Sequence, residues 1–116
     1  ILWSDMKFLL VAIVVAALFV TAESKVTCTM CGAVGKNDLT TCSGNRTCTA
    51  AYCLYERTTL EGVTNIMRTC SPNGYAFFPD GSKTTTLNKC EKKTVGEWTY
   101  AFEVCNSGND CGAHCD

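Results

Sequence analysis

The ten cysteines are the residues of this 116-residue chain whose number and spacing could do chemistry. All lie between Cys28 and Cys115, and their even count lets every thiol pair. Such a density in a short chain is typical of a disulfide scaffold. The two-residue gap between Cys28 and Cys31 leaves half of a zinc site or a redox motif as an alternative. Zinc would need a second pair of ligands, and the redox use needs a βαβ context that the sequence lacks.

Catalytic chemistry has little support. The single histidine, His114, lies between Cys111 and Cys115, where we expect an exposed residue in a terminal disulfide loop. No unpaired cysteine is expected to form a Cys–His pair, and no Ser–His–Asp arrangement can be justified. The acidic residues are spread singly along the chain. We therefore expect a protein that is not an enzyme and that holds no cofactor and no metal.

Residues 6–24 have the layout of a secretory signal peptide. One lysine follows Met6, an unbroken apolar run covers residues 8–20, and small residues follow. Cleavage is expected after Ala22 or Ser24. The thirteen apolar residues are fewer than the roughly 20 that span a bilayer, so a membrane anchor is the weaker alternative. Residues 1–5 precede the methionine and are interpreted as an upstream remnant.

The mature chain, residues 25–116, is expected to form one secreted, extracellular domain. Its 92 residues carry nine Lys/Arg and nine Asp/Glu, so no net field attracts nucleic acid. A chain of this size has a thin core, and five disulfides would each add about 2–4 kcal/mol. No hydrophobic tail precedes Asp116, so we expect no membrane anchor. The protein is also expected to be a monomer.

Two hairpins can be predicted from the pattern of side chains. Residues 97–105 alternate apolar and polar, which predicts a half-buried strand with Trp98 and Tyr100 facing the core. Its partner is residues 89–94, with a turn at Val95-Gly96. A second hairpin is predicted from residues 47–57 and 63–70, with residues 58–62 as an exposed tip. Residues 75–78, between two turn signals, are either a short strand or an apolar loop.

The cysteine spacing resembles that of the three-finger family, which includes the lymphocyte-antigen-6/urokinase-receptor domains and the snake neurotoxins. The resemblance begins at Val26-Thr27-Cys28-Thr29-Met30-Cys31 and covers the whole mature chain. It continues through Cys42, Cys48, Cys53, a long gap to Cys70, the pair Cys90/Cys105 and the terminal pair Cys111/Cys115. Residues 62–70 also resemble the second-finger return strand of nematode secreted modules of the ET type. The chain departs from the family in separating Cys105 from Cys111 by five residues.

The resemblance implies an all-β, disulfide-rich fold in which three antiparallel hairpins extend from a disulfide core. It also implies five pairings: Cys28–Cys53, Cys31–Cys42, Cys48–Cys70, Cys90–Cys105 and Cys111–Cys115.

Two groups of residues are candidates for partner binding. The family-like choice is the tip of the second hairpin, formed by Arg57, Thr58, Thr59, Leu60 and Glu61. The other is the aromatic set Tyr75, Phe77 and Phe78, which would be a patch if exposed and ordinary core if buried. An ordinary solvated tip is the alternative for the first group. Lys89, Lys92 and Lys93 are interpreted as a solvated strand face.

The leading functional hypothesis is a secreted protein that modulates an extracellular receptor, channel or other protein through its hairpin tips. The alternatives are a defence effector acting on membranes and a protease inhibitor with Arg57 as its primary-specificity residue. Near-zero mature charge disfavours the membrane effector. Asn45-Arg46-Thr47 is an N-glycosylation sequon, which predicts a surface position for Asn45 in an exported chain.

Overall fold

A computed structural model describes residues 24–115, which form six β-strands and no helix. The strands are β1 (Val26–Lys36), β2 (Arg46–Ala50), β3 (Tyr52–Leu60), β4 (Val63–Ser71), β5 (Glu91–Val95) and β6 (Trp98–Cys105). They form one antiparallel sheet in the order β2-β1-β4-β3-β6-β5. The predicted all-β, disulfide-rich fold class is confirmed. The predicted signal peptide lies, except for Ser24, outside the described residues, as do residues 1–5.

Within residues 24–115, no helix is long and apolar enough to cross a membrane.

The hairpin of β3 and β4 is longer and tighter than predicted. Its turn is only Glu61-Gly62, whose positive φ angles of 50° and 78° fit the two-residue turn that follows the twist of the strands. Thr58, Thr59 and Leu60 therefore belong to β3 and not to the tip. Residues 47–50 belong to β2 and pair with β1, so the predicted arm over residues 47–57 is wrong at its start.

The hairpin of β5 and β6 forms as predicted, but its turn is Gly96-Glu97 and not the predicted Val95-Gly96, since Val95 belongs to β5. Glu91–Val95 pairs with Trp98–Cys105, and Val95 lies opposite Trp98. Residues 75–78, predicted to be a short strand or an apolar loop, form neither a full strand nor a free loop. Phe77 makes one isolated bridge to Lys83, and the chain turns between them.

Alternation along the strands gives the sheet two different faces. On the disulfide face, Tyr55, Ile66 and Ala101 are buried with Cys42 and Cys115 from the crossing segments. On the aromatic face, Phe102 and Val104 are buried under residues 72–90, which contribute Ala76 and Phe78. Irregular chain covers part of each face, which explains how so short a sequence buries residues on both sides of one sheet.

Three cysteines stand side by side across the middle strands and anchor the chain. Cys70 of β4, Cys53 of β3 and Cys105 of β6 are direct neighbours in register, and we call them the cysteine row. Each bonds to a cysteine outside the row: Cys53 to Cys28, Cys70 to Cys48 and Cys105 to Cys111. The row and its partners form one cluster with Val26, in which Cys48, Cys70 and Cys111 are half-buried and the others are buried.

Three of the five pairings implied by the family resemblance match the structure: Cys28–Cys53, Cys31–Cys42 and Cys48–Cys70. The last two are wrong. The structure joins Cys90 to Cys115 and Cys105 to Cys111, with Cα separations of 5.7 and 6.0 Å. All ten cysteines are bonded.

Register explains why Cys90 does not reach Cys105. Since Glu91 pairs with Phe102, the position opposite Cys90 is Glu103. Cys105 is thus a diagonal neighbour, and diagonal pairs lie about 7–8 Å apart, beyond the usual span of a disulfide. Residues 106–110 instead loop out and return Cys111 to Cys105. The chain then crosses the disulfide face of the sheet and brings Cys115 to Cys90.

The C-terminal loop completes the hydrogen bonding of β1. Residues 26–30 of β1 pair with β2 and residues 31–36 with β4, so the first half has one edge without a strand. The Thr27 amide donates to Asn109 Oδ1 (3.0 Å) and the Thr29 amide to Asp110 Oδ1 (2.9 Å). The Asp110 amide donates to the Thr27 carbonyl (2.7 Å).

Asp110 also neutralises a buried cation. Arg68, with 8% of its surface exposed, donates through Nη2 to Asp110 Oδ1 at 2.7 Å and through Nη1 to the Cys42 carbonyl at 3.0 Å. The bond from the Thr29 amide and the Arg68 charge hold the pKa of Asp110 below its ordinary value. The carboxylate therefore ties the C-terminal loop, β1 and β4 together.

Digestion of the oxidised protein with trypsin and an Asp-specific protease should test the corrected pairing. The first enzyme cuts after Lys89 and Lys93 and the second before Asp110, so Cys90, Cys105 and Cys111/Cys115 fall on separate peptides. We expect a single three-peptide species in the mass spectrum, because Cys111 and Cys115 each hold a different partner. A Cys90–Cys105 peptide beside an internally bridged terminal peptide would contradict the structure.

Replacement Asp110→Asn should lower the free energy of unfolding at pH 7 by about 1 kcal/mol, since half of this side chain meets solvent that screens the ion pair. The lowered pKa of Asp110 in the folded state stabilises the fold at pH values above the pKa that this group has in the unfolded chain. That stabilisation is lost as the pH falls through the folded-state pKa. Urea unfolding between pH 5 and pH 2 should thus show a shallower acid dependence in the variant. Asp38→Asn, at an exposed turn, is the control. Equal slopes in both variants would refute the role of Asp110.

Candidate functional site

An exposed apolar surface lies on the aromatic face, at the end of the sheet near the hairpin turns. It consists of Val34, Leu60, Val63 and Trp98, and we call it the distal apolar surface. Val63 pairs with Leu60, and Val34 lies in the neighbouring row, so the residues are adjacent across β1, β4 and β3. Together with Thr58, Asn65 and Glu61 they line a groove of about 380 Å³.

This surface is uncovered because residues 72–90 stop short of it. Phe78 stacks on Phe102 with ring centroids 4.8 Å apart, and the aromatic contacts continue through Tyr100 to Trp98. Phe102 is buried, Tyr100 is half-buried and Trp98 is 43% exposed. Trp98 was expected to face the core; it lies on the predicted face, but beyond the segment that covers that face.

An ion pair holds the covering segment in place. Lys93 Nζ lies 2.5 Å from Asp80 Oδ2 and 2.7 Å from Ser82 Oγ, and it sits 5.7 Å from the centre of the Phe78 ring. Hydrogen bonds from Lys93 and Ser82 keep the pKa of Asp80 well below its ordinary value. Lys93 therefore has a structural role. The prediction that Lys89, Lys92 and Lys93 form a solvated strand face does not describe Lys93 fully.

Carboxylates surround the distal apolar surface. Glu61 and Glu97 occupy the exposed turns of the two adjacent hairpins. Glu56 lies between Met67 and Phe102 in register on the same face. Burial raises the pKa of Glu56 above its ordinary value, because the surrounding apolar groups disfavour the charged form.

The predicted tip residues divide between the two faces because the strand alternates. Thr58 and Leu60 lie on the aromatic face and join the distal apolar surface, with Glu61 in the turn beside them. Arg57 and Thr59 lie on the disulfide face and line a separate pocket there. The prediction grouped these residues because they are adjacent along the chain. In the structure, only Thr58, Leu60 and Glu61 lie together.

The predicted aromatic set also divides. Tyr75 and Phe77 are 37% and 61% exposed and meet edge to face, and Lys83 lies 4.7 Å from the centre of the Tyr75 ring. Phe78 is 6% exposed and belongs to the core. This corrects the prediction of Phe78 as a partner-binding residue: its ring already covers Phe102.

Several residues of the candidate surface were missed by the sequence reasoning. Val34 and Val63 gave no distinct signal because a β-branched residue in a strand fits a core position as well as an exposed one. In β4, Val63 and Met67 lie on one face and Ile66 lies on the other. This alternation indicates, from the sequence alone, that both faces of the strand carry apolar side chains. Such a strand needs a covering layer or leaves apolar surface exposed.

The remaining predicted positions are placed as follows. His114 is exposed, and its charge opposes the burial that raises the pKa of Glu103. Asn45 is exposed immediately before β2, so the sequon is accessible, and its glycosylation stays a prediction. The zinc or redox alternative for Cys28 and Cys31 is wrong, since each is bonded to another cysteine.

Truncation of the two adjacent phenylalanines should have unequal effects. Phe78→Ala is expected to lower the free energy of unfolding by about 3 kcal/mol, because it removes a buried ring. Phe77→Ala, at an exposed ring, should change it by less than about 0.5 kcal/mol. Urea unfolding of the oxidised protein measures both. Equal losses would show that residues 72–90 do not cover the sheet as described.

No family model matches this chain, and neither does any curated protein or solved structure with which it was compared.

Proposed function

We propose that this chain is a secreted, disulfide-stabilised protein that binds and modulates an extracellular receptor, channel or other protein through the ends of its hairpins. The five disulfides indicate an oxidising compartment. The three-finger assignment belongs to the same proposal. It is supported by three pairings that match the family pattern and by three hairpins that extend from one cysteine cluster.

The distal apolar surface is the observation that carries the proposal. Trp98, Val34 and Val63 are 43%, 72% and 55% exposed, on neighbouring strands of a cross-linked sheet. Contiguous apolar surface on a small protein marks an interaction site when it has no structural use. A rigid sheet loses little conformational freedom on binding, and tryptophan is the residue type that most often dominates an interface.

The charges around the surface favour a protein partner over a membrane. Glu61 and Glu97 stand in the turns on either side of Leu60 and Trp98, where anionic lipid headgroups would repel them. Lys36, opposite Val63, completes a rim of mixed sign. We propose a partner surface with an apolar centre and basic residues facing the two glutamates.

The protease-inhibitor alternative receives no support from the position of Arg57. An inhibitor presents its specificity residue on an exposed loop, whereas Arg57 is paired with Ile66 on one side and Ala101 on the other. A protease cannot bind that stretch of chain as an extended substrate without opening the sheet. Binding through the aromatic face leaves Arg57 free for another role.

The test is capture of the partner followed by measurement with purified components. The oxidised protein, cross-linked to cell-surface or secreted proteins of its source tissue, should identify a partner whose affinity is then measured directly. Trp98→Ser should weaken that binding at least about tenfold, because it removes the largest exposed ring of the surface. The matched control, Phe77→Ser, removes an exposed ring elsewhere and should change the affinity less than about twofold.

Three results would overturn the proposal. The first is equal affinity of the Trp98→Ser and Phe77→Ser proteins for every captured partner. The second is a dimer of the native protein that Trp98→Ser dissociates in sedimentation experiments, which would assign the surface to self-association. The third is leakage of anionic vesicles that depends on Trp98.

A further inference from the structure

We propose that Asn73 is a site of spontaneous modification, at which the folded chain converts asparagine to aspartate or isoaspartate without an enzyme. Asn73-Gly74 is the only Asn-Gly pair in the sequence. It lies at the start of residues 72–90, which cover the aromatic face, and at the end of the sheet away from the distal apolar surface. The inference goes beyond the proposed function, because the reaction needs water and no binding partner.

The reaction is an attack by a backbone nitrogen on the preceding side chain. The Gly74 nitrogen loses its proton and bonds to Cγ of Asn73, and the side-chain nitrogen leaves as ammonia. One water molecule then opens the five-membered imide. Cleavage of the bond from the nitrogen to Cγ gives aspartate, whereas cleavage of its bond to the Asn73 carbonyl carbon gives isoaspartate. Glycine favours ring closure, since it has no Cβ to obstruct the approach.

Ser71 activates the nitrogen that reacts. Its hydroxyl donates to the Asn73 carbonyl oxygen at 2.9 Å and accepts from the Asn73 amide at 3.2 Å. The Asn73 carbonyl and the Gly74 nitrogen belong to one peptide group, so negative charge on the nitrogen is shared with the oxygen that Ser71 contacts. A donor already aimed at an oxygen on which charge develops lowers the barrier of that step. Because Ser71 is 7% exposed, water competes little for its hydroxyl.

The reacting groups at Asn73 are accessible, unlike those at Asn106. Asn73 is exposed, and within residues 24–115 no hydrogen bond holds its side chain or the Gly74 amide. Asn106 is also followed by a small residue, Ser107. There, however, the Ser107 amide donates to Asn88 Oδ1 at 3.1 Å, and Asn106 Oδ1 accepts from Asn88 Nδ2 at 3.1 Å. Both reacting groups of that pair are engaged, so it serves as an internal reference.

The fold retains glycine at position 74 because of a close contact. A Cβ there would lie 3.1 Å from Cζ and 3.2 Å from the hydroxyl oxygen of Tyr52. Tyr52 packs against the buried cluster of Ala76, Phe78, Phe102 and Val104, which limits how far its ring can move. Conversion to isoaspartate lengthens the main chain at this contact and places a carboxylate beside it. The modification therefore loosens the start of residues 72–90.

Incubation of the oxidised protein in ¹⁸O-labelled water at mildly alkaline pH tests the reaction. After reduction and digestion with trypsin at mildly acidic pH, residues 69–83 form one peptide, in which Asn73 is the only asparagine. We expect this peptide to gain a carboxylate that carries ¹⁸O and to separate by chromatography into aspartate and isoaspartate forms. Asn73 should react at least about tenfold faster than Asn106, whose reacting groups are hydrogen-bonded.

Variants separate activation by Ser71 from simple flexibility. Ser71→Ala should slow the conversion about threefold or more, because it removes the donor to the reacting peptide group. The same change frees the Asn73 amide, so a rate governed by flexibility alone would rise instead. Ser71→Thr keeps a hydroxyl and should restore the rate. Asn73→Gln keeps an amide but needs a larger ring, so its peptide should stay unlabelled.

Three results would overturn the proposal: labelling of Asn106 ahead of Asn73, an Ser71→Ala protein that converts as fast as the original or faster, and an isoaspartate form with an unchanged urea midpoint. We expect the midpoint of the separated isoaspartate form to be lower than that of the unreacted protein, because the contact of Gly74 with Tyr52 is disturbed. These measurements need no protein partner, so their outcome is separate from that of the capture experiment.

Discussion

The cysteine row is the constraint on which the rest of this structure depends. Cys70, Cys53 and Cys105 stand on three adjacent strands, and each is bonded to a different part of the chain. Because Cys28 and Cys48 face each other on β1 and β2, their bonds to Cys53 and Cys70 hold β1 and β2 against β3 and β4, and Cys105 holds the C-terminal loop at the same level. A register error of one residue would move each side chain to the other face and would carry Cys53 or Cys70 away from its partner, so these two bonds favour the observed register of β3 and β4.

That fixation explains how a small sheet carries two chemically different surfaces. Alternation sends Leu60 to the aromatic face and Arg57 to the disulfide face, although only two residues separate them. Neither surface requires a large hydrophobic core behind it, since disulfides and crossing segments supply the stability that core burial supplies in larger domains. The two sides of one hairpin can thus present different chemistry to different ligands.

The sequence was sufficient for features determined by neighbours in the chain, and insufficient for those determined by distant ones. The β6 strand follows from strict alternation, and the disulfide-rich class follows from the cysteine count, whereas the all-β class was implied by the resemblance in cysteine spacing. The pairing of Cys90 and Cys105 failed because it depends on a register offset of two residues and on the path after Cys111. Trp98 was placed on the correct face, but its exposure depends on where residues 72–90 end, which no local pattern encodes.

The contacts of the C-terminal loop with β1 have a consequence for assembly. A strand with open amide groups is a template on which another chain can add. At Thr27 and Thr29 the amide groups are instead occupied by the side-chain oxygens of Asn109 and Asp110. These side-chain oxygens accept the hydrogen bonds that a neighbouring strand would otherwise accept, and they present no new strand edge with which another chain could pair. The short ring closed by Cys105 and Cys111 thus ends the sheet at this edge of β1 and prevents another chain from pairing with it.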